Sequence, residues 1–506
     1  MIRQLPSVSV LCNLVTASWL ASGASAQAAD SPQPGERFTR NPVSSETHLP
    51  ETVNPTTKQG IKWTVSLGSQ SYSTPVIAGG RIFVGTNNDT PRDPRHTGDR
   101  GIFLCLDEKS GKLLWQLVVP KIGGDPYLDW PRVGITSPAI VEGERVYLLN
   151  NRAEVLCLDV NGMANGNDGP FTDEASHQTP KGAELIPVGP TDADILWVTD
   201  LRTDVAIWPH DAAYGSPLLD GDFLYINSNN GVDNTHKVIR RPDAPSLIVL
   251  DKKTGRLVAK DNEHIGPSIF HNTYSIPSLG TANGRRMVCF GGGDGVLYAF
   301  EPLSEMPSPG TVATLKRIWK YDPDPGAPKK EVHTYSGNRE ISPSTIVAPP
   351  VFVGDRVYLT AGGDVWWGKY QAWLKCVDAG KTGDITSTAT FWSYPLKQSI
   401  TPPAVAGALT FAADSGNKTI NCLETATGKP LWSHHVTGEI WSSPMVADGK
   451  LYVGTRRGNF YIFAASRDEK LLCETTLDAP ISAPMAAANG VVYVATDETL
   501  YALAIP

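Results

Sequence analysis

Residues 402–432 read PPAVAGALTFAADSGNKTINCLETATGKPLW. Four short apolar and β-branched runs, PPAVA, ALTFAA, TINCLE and PLW, are separated by turn residues, which predicts four antiparallel strands, A to D. Thr427 and Gly428 supply the C-to-D hairpin turn, where glycine tolerates the positive φ of a tight turn. Strand D ends on Trp432.

The ending recurs along the chain: GIKW at Trp63, SGKLLW at Trp115, DADILW at Trp197, KRIW at Trp319 and TATFW at Trp392. The proline opening strand A recurs as Pro75, Pro138, Pro217, Pro277, Pro350, Pro403, Pro444 and Pro484, at intervals of 63, 79, 60, 73, 53, 41 and 40 residues. A bare unit of 40 or 41 residues with four strands has the size of one propeller blade. A single blade cannot bury both faces, whereas blades stacked in a ring can, with an indole filling each seam. The expected fold is therefore all-β, an eight-bladed β-propeller of four-stranded antiparallel blades over residues 60–506. Blades 3 and 7 carry Ala259 and Cys473 where the tryptophan belongs, so their seams are expected to pack differently and less tightly. Blade 8, from Ser482, has three strands, while GIKW has the D-strand ending with no strands before it. The N-terminal strand is thus expected to complete blade 8 and close the ring, removing exposed edges.

The phrase [TS]GKxLW after an LYALD-like strand resembles the repeat of the pyrroloquinoline-quinone (PQQ) enzyme-like propellers, over about residues 60–506. That family includes quinoprotein alcohol dehydrogenases and the bacterial outer-membrane assembly scaffold, so the resemblance implies the fold and leaves the activity open. The dehydrogenases carry a disulfide between adjacent cysteines against the cofactor, and many relatives attach a c-type haem at CxxCH; neither motif occurs here. The family's calcium ligands and catalytic aspartate find no matching positions. The cofactor stays unassigned: PQQ with calcium is compatible with the resemblance, but its motifs are not found.

Charged residues are 19% of the chain and the net charge is −8, which argues against a nucleic-acid partner. Residues 1–28 combine Arg3, an apolar stretch too short to span a bilayer and ASA before Gln27, the pattern of a signal peptide cleaved after Ala26 or Ala28. No cysteine stands in a lipobox-like position, unlike the assembly scaffold, which is a lipoprotein. Residues 29–59 are polar and rich in Pro, Ser and Thr and read as a flexible leader. The expected product is exported, periplasmic or extracellular, monomeric and without a transmembrane segment. Cys105, Cys157, Cys376 and Cys422 occupy the same place in strand C of four blades, too far apart for a disulfide, and read as small buried residues.

Long insertions sort by face. In an antiparallel blade the B-to-C turn and the D-to-A connection share one face, and there blades 1 to 5 insert Thr86–Arg100, Pro120–Gly134, Asp200–Gly215, Asn227–Ser246, Lys260–Ser275, Tyr321–Ile346 and Ala361–Gln371. Six of the ten histidines fall in these loops: His96, His210, His236, His264, His271 and His333. Loops on a rigid scaffold concentrate binding. The candidate ligand-binding residues are His210, Asp211, His236, His271, His333, Trp366, Trp367 and Arg132. His210, His236 and His271 are expected to converge over blades 2 to 4 with Trp366 at the border. Capping turns is the plainer role for each histidine alone. Converged imidazoles can hold a transition metal, although no HxH or HxxxH spacing occurs. Adjacent His210 and Asp211 are a poorer acid/base pair. Asp159–Pro170 resembles a loose calcium loop but matches no EF-hand spacing, and its plainer reading is a turn-rich loop.

Two functions fit. One is an exported binding or scaffold propeller that engages an unidentified protein or polymer through the loops of blades 1 to 5. The other is a quinone-dependent (PQQ-type) oxidoreductase with a diverged site. The missing cysteine pair and haem motif favour the first.

Overall fold

The computed structural model describes Met1 and residues 29–505, so the expected signal peptide, apart from Met1, lies outside the described residues. The strands form eight sheets of consecutive antiparallel strands, some with one added edge strand. Blade 6 is the bare unit, with strands Ala404–Ala406, Leu409–Asp414, Thr419–Glu424 and Pro430–His435. The ring closes as expected: Ile61–Ser66 pairs antiparallel with Thr499–Leu503 and sets Trp63 opposite Ala502. Its closing sheet contains one strand from the start of the propeller and three from its end.

The repeated indole packs by volume matching. Trp115, Trp197, Trp392 and Trp432 stand opposite Cys105, Cys157, Cys376 and Cys422 on strand C, and Trp319 and Trp63 stand opposite Ala299 and Ala502. A bulky ring thus faces a small residue across the strand pair, as close packing requires. Each indole N–H donates to a backbone carbonyl just beyond strand C of the next blade: Glu108, Val160, Lys252, Ala379, Thr425 and Ser466, at 2.9 to 3.2 Å. The indole therefore fills the seam and ties it. The hairpin glycine belongs to the same contact. Gly428 has φ +71°, and a Cβ there would lie 2.5 Å from the ring of Trp392 in the preceding blade. Glycine is needed both for the backbone and for the neighbour's indole.

Where the tryptophan is missing, the opposite residue is larger: Ala259 faces Val249 and Cys473 faces Ile462. Other chain segments fill these seams. Ala313–Thr314, from the C-to-D insertion of blade 4, pairs parallel with strand D of blade 3. At blade 7, Leu49 and Val53 are buried in the seam, and the Val53 N–H lies 3.5 Å from Cys473 Sγ. The two seams are packed differently, as expected, but the expected looseness is replaced by inserted side chains.

Residues 29–59 are not a flexible leader. They run across the ring at the A-to-B turns and touch each blade. The carbonyls of Ser31, Pro32, Phe38, Thr39 and Pro42 accept from Ile77, Val141, Leu279, Phe352 and Val446, covering blades 1, 2, 4, 5 and 7. Asn41 exchanges two 2.9 Å hydrogen bonds with Val405 of blade 6, and Glu46 accepts from Gly490 of blade 8. Arg40 reaches blade 3, donating to the carbonyls of Ser216 and Pro217, and also to Pro277. The partners are free backbone groups of the inner strands, so the segment seats by hydrogen bonds rather than by an apolar stripe. It forms a strap closing one end of an axial cavity of about 970 Å³.

The six described cysteines are free, five of them buried and Cys473 half-buried. Burial pushes the thiols up, Cys376 to about 11 and Cys157 to about 12, so little thiolate is available. With residues 1–28, which hold the seventh cysteine, Cys12, removed, the native protein is expected to take up at most one alkylating group, at Cys473, and the unfolded protein six. Intact-mass measurement with and without denaturant reads this, and an unfolded protein retaining fewer than six free thiols contradicts it. Among the described residues no helix is long and apolar enough to cross a membrane.

Candidate functional site

Three long loops of blades 2 to 4 are stitched together above the open end of the cavity. Pro209 bridges Asn230, and Gly231 bridges Asn272. Asn272 Nδ2 donates to the carbonyl of His210 at 3.0 Å, and the Val232 N–H donates to that of His271 at 2.9 Å. Gly231 sits where a Cβ would meet His210 Cβ at 2.8 Å, so the loops can approach this closely only at glycine. The loop joining blades 1 and 2 locks on through Asp211 N–H to Tyr127 carbonyl, 2.6 Å, and Trp130 N–H to Asp211 carbonyl, 2.8 Å.

This stitching brings His210, His236 and His271 together. One nitrogen from each lies within 4.8 Å of the others, and all three residues are buried. His210 Nε2 is 3.1 Å from His236 Nε2. Asp211 lies between two of them, its oxygens 3.5 Å from His210 Nε2 and 3.4 Å from His271 Nε2. The adjacent pair weighed from sequence is therefore a bridge between two imidazoles. On its far side His271 presents Nδ1 to Asp364 Oδ2 at 3.1 Å. The other Asp364 oxygen accepts the backbone N–H groups of Trp366 and Trp367, 2.9 Å each. One carboxylate thus orients both the imidazole and the tryptophan loop.

Charge follows from this packing. Burial pushes His210 down to about 3, and burial together with the neighbouring His271 lowers His236. Burial opposes protonation of His271 too, but Asp364 and Asp211 outweigh it and lift its pKa to about 9. Burial alone would raise Asp211 and Asp364; the imidazoles hold both below the usual carboxylate range.

Aromatic rings enclose the cluster. Tyr127 stacks on His210 with centroids 5.6 Å apart, Trp367 lies 4.5 Å from His236, and Trp366 lies 5.5 Å from His271. Trp366 continues to Trp441 at 5.8 Å, and the Arg456 guanidinium covers Trp441 at 4.2 Å. Trp130, Trp366 and Trp367 are 40%, 37% and 36% exposed, so the cup has open aromatic faces.

Two candidates stand apart from the cluster. His333 Nε2 is tied to the Ile269 carbonyl at 2.8 Å and lines a side pocket with His236 and Trp367. Arg132 pairs with Asp89 at 2.7 Å on the exposed rim of blade 1. The loose calcium loop is a set of turns: Asp159 pairs with Arg145, and Asn165 donates to Asp168. Sequence reading passed over Asp364, Tyr127 and Tyr274 within the quoted loops, and Trp441 and Arg456 in blade 7. An aspartate two and three residues before Trp366 and Trp367 is a turn-capping signal, and it was the available clue to Asp364. Trp441 gave none, because its connection is short.

Over residues 55–261 and 371–471 the sequence matches the family model described as outer membrane protein assembly factor BamB. It matches none of the curated proteins with which it was compared. Among solved structures, BamB from Moraxella catarrhalis is 13% identical with a TM-score of 0.52, over 87% of this chain and 98% of that one. The quinohemoprotein alcohol dehydrogenase from Comamonas testosteroni is 11% identical with a TM-score of 0.51, over 94% and 80%. At such identities the likeness is one of fold alone.

Proposed function

As a chain that belongs to the family of outer membrane protein assembly factor BamB, with its PQQ-like repeat propeller, the protein is in our reading a binding or scaffold propeller, and we propose that it is exported and engages its ligand at the open end of the axial cavity. One observation carries this reading. The loops of blades 1 to 5 build a cup with exposed indole faces over a cavity of about 970 Å³, a volume typical of ligand sites. An indole can stack on a sugar face or a planar ring, each contact contributing on the order of 1 kcal/mol. Ionic and hydrogen-bonding groups, Asp211 and Arg456 among them, stand beside the rings to orient what stacks there.

A quinone-dependent oxidoreductase is the second reading. The imidazole–carboxylate network beside Trp366 supports it, since it places proton-accepting groups next to a surface that a planar quinone could cover.

Tryptophan fluorescence of the purified protein, titrated separately with soluble oligosaccharides, acidic peptides and PQQ plus calcium, tests both readings. One class is expected to give saturable quenching, weakened about 10-fold by Trp366→Ala, because losing one stacked ring costs roughly 1.4 kcal/mol. The melting temperature should stay within a few degrees, the side chain being surface-exposed. Saturation only by PQQ with calcium, accompanied by its visible absorbance on the protein, supports the oxidoreductase. No saturation by any class, or quenching indifferent to Trp366, overturns the site.

A further inference from the structure

Beneath the aromatic cup the histidine cluster has a geometry that stacking does not explain. Its donor atoms are spaced like the corners of a coordination polyhedron. Metal–nitrogen bonds of about 2.0–2.1 Å in a tetrahedron set donor atoms about 3.3 Å apart. One nitrogen from each of the three imidazoles lies within 4.8 Å of the others, His210 Nε2 being 3.1 Å from His236 Nε2, and the two oxygens of Asp211 flank them, Oδ1 at 3.5 Å from His210 Nε2 and Oδ2 at 3.4 Å from His271 Nε2.

Three further observations point the same way. His271 Nε2 is buried and makes no aligned hydrogen bond, its nearest acceptor being Asp211 at 3.4 Å, although its ring is fixed by Asp364 at Nδ1. A carboxylate on the far nitrogen of an imidazole is the arrangement that orients metal-ligating histidines. The carboxylates of Asp211 and Asp364 pair, among the described residues, only with histidines, with no lysine or arginine to balance them. Finally, His236 and Asp211 border the axial cavity, which gives an ion a route in and leaves room for an added ligand.

We propose that His210, His236 and His271, together with Asp211, bind one late first-row transition-metal dication, with Asp364 positioning His271. Three imidazoles and a carboxylate without thiolate suit Zn²⁺, Ni²⁺, Cu²⁺ or Co²⁺ rather than calcium, which takes oxygen ligands. No other cluster of the described residues gathers three such donors. The inference does not rest on the ligand-binding reading. Metal uptake is measured without any organic ligand, and fluorescence quenching at Trp366 can be repeated on metal-stripped protein, so either can fail alone.

The test uses the full chain without a histidine tag, stripped with chelator, loaded with Co²⁺ and desalted. The expected result is one Co²⁺ per chain by elemental analysis, with the visible absorption of four- or five-coordinate cobalt, displaced by Zn²⁺. His236→Gln and His271→Gln should each weaken Co²⁺ binding by at least about 100-fold, and Asp364→Asn by about 10- to 100-fold. His434→Ala, which removes an outer-edge histidine paired with Glu469, should leave it unchanged. Circular dichroism confirms that each variant is folded before it is scored. Should the glutamine variants fail to fold, the wild-type metal count and cobalt spectrum decide. Substoichiometric uptake by wild type, or an unchanged cobalt spectrum in folded His236→Gln, overturns the site.

Discussion

A chain lacking residues 29–55 is expected to unfold well below the full-length protein, with a net loss on the order of 5 kcal/mol. The strap buries Leu49 and Val53 in the seam of blade 7, about 1.5–3 kcal/mol each for the apolar surface. It also satisfies inner-strand groups of blades 1 to 8, at roughly 1 kcal/mol net per hydrogen bond. Against these stands the conformational entropy regained by the released chain, which is why the net figure lies well below the sum. Extending the deletion through Ser66 removes the closing strand as well and leaves Thr499–Leu503 as an open edge, which should add aggregation to instability. Thermal melting with light scattering separates the two deletions. If removing 29–55 leaves the melting temperature where it was, the strap is decoration and the seam at Cys473 is held by something else.

Replacing Arg40 is expected to be the most costly single change. Arg40 is 2% exposed and spans from the strap to blades 3 and 4, donating to Pro217 at 2.7 Å, Pro277 at 3.1 Å and Ser216 at 3.2 Å. Burial lowers its pKa to about 10, partly offset by the nearby Tyr214 hydroxyl, and among the described residues no carboxylate pairs with it. Arg40→Met keeps the length and apolar stem but strands these carbonyls, at about 1–3 kcal/mol for each left without a partner. The expected loss is about 3–5 kcal/mol in urea unfolding, with Arg40→Lys intermediate because a point charge cannot fork to three acceptors. A change below about 0.5 kcal/mol for Arg40→Met would show that water serves those carbonyls equally well.

The blades were legible because the indole, the hairpin glycine and the strand A proline each solve a steric problem that every seam repeats. Trp432 above Cys422 and Gly428 against Trp392 are local packing solutions, so they leave a local trace. The convergence of His210, His236 and His271 was legible for a different reason: assigning insertions to one face already places them over adjacent blades. The strap was misread because its polarity and prolines are those of a disordered chain. Its docking uses backbone carbonyls and the side chains of Arg40, Asn41 and Glu46, none of which produces hydrophobic periodicity. Trp441 and Arg456 escaped because blade 7 contributes them from short connections, so loop length was no guide.

Closing the ring with its own beginning also sets the order in which the molecule can be made. Glu46 must find Gly490 across 444 residues of sequence, and Trp63 cannot meet Ala502 until the last strand has been synthesised. Until then a growing arc of blades exposes one unpaired strand edge and one apolar blade face at each end. Contacts of such long range fold slowly, and intermediates with open strand edges associate with one another. Refolding yield should therefore fall with protein concentration far more steeply than the stability of the finished ring would suggest, and the closing strand is the step a folding helper would have to guard.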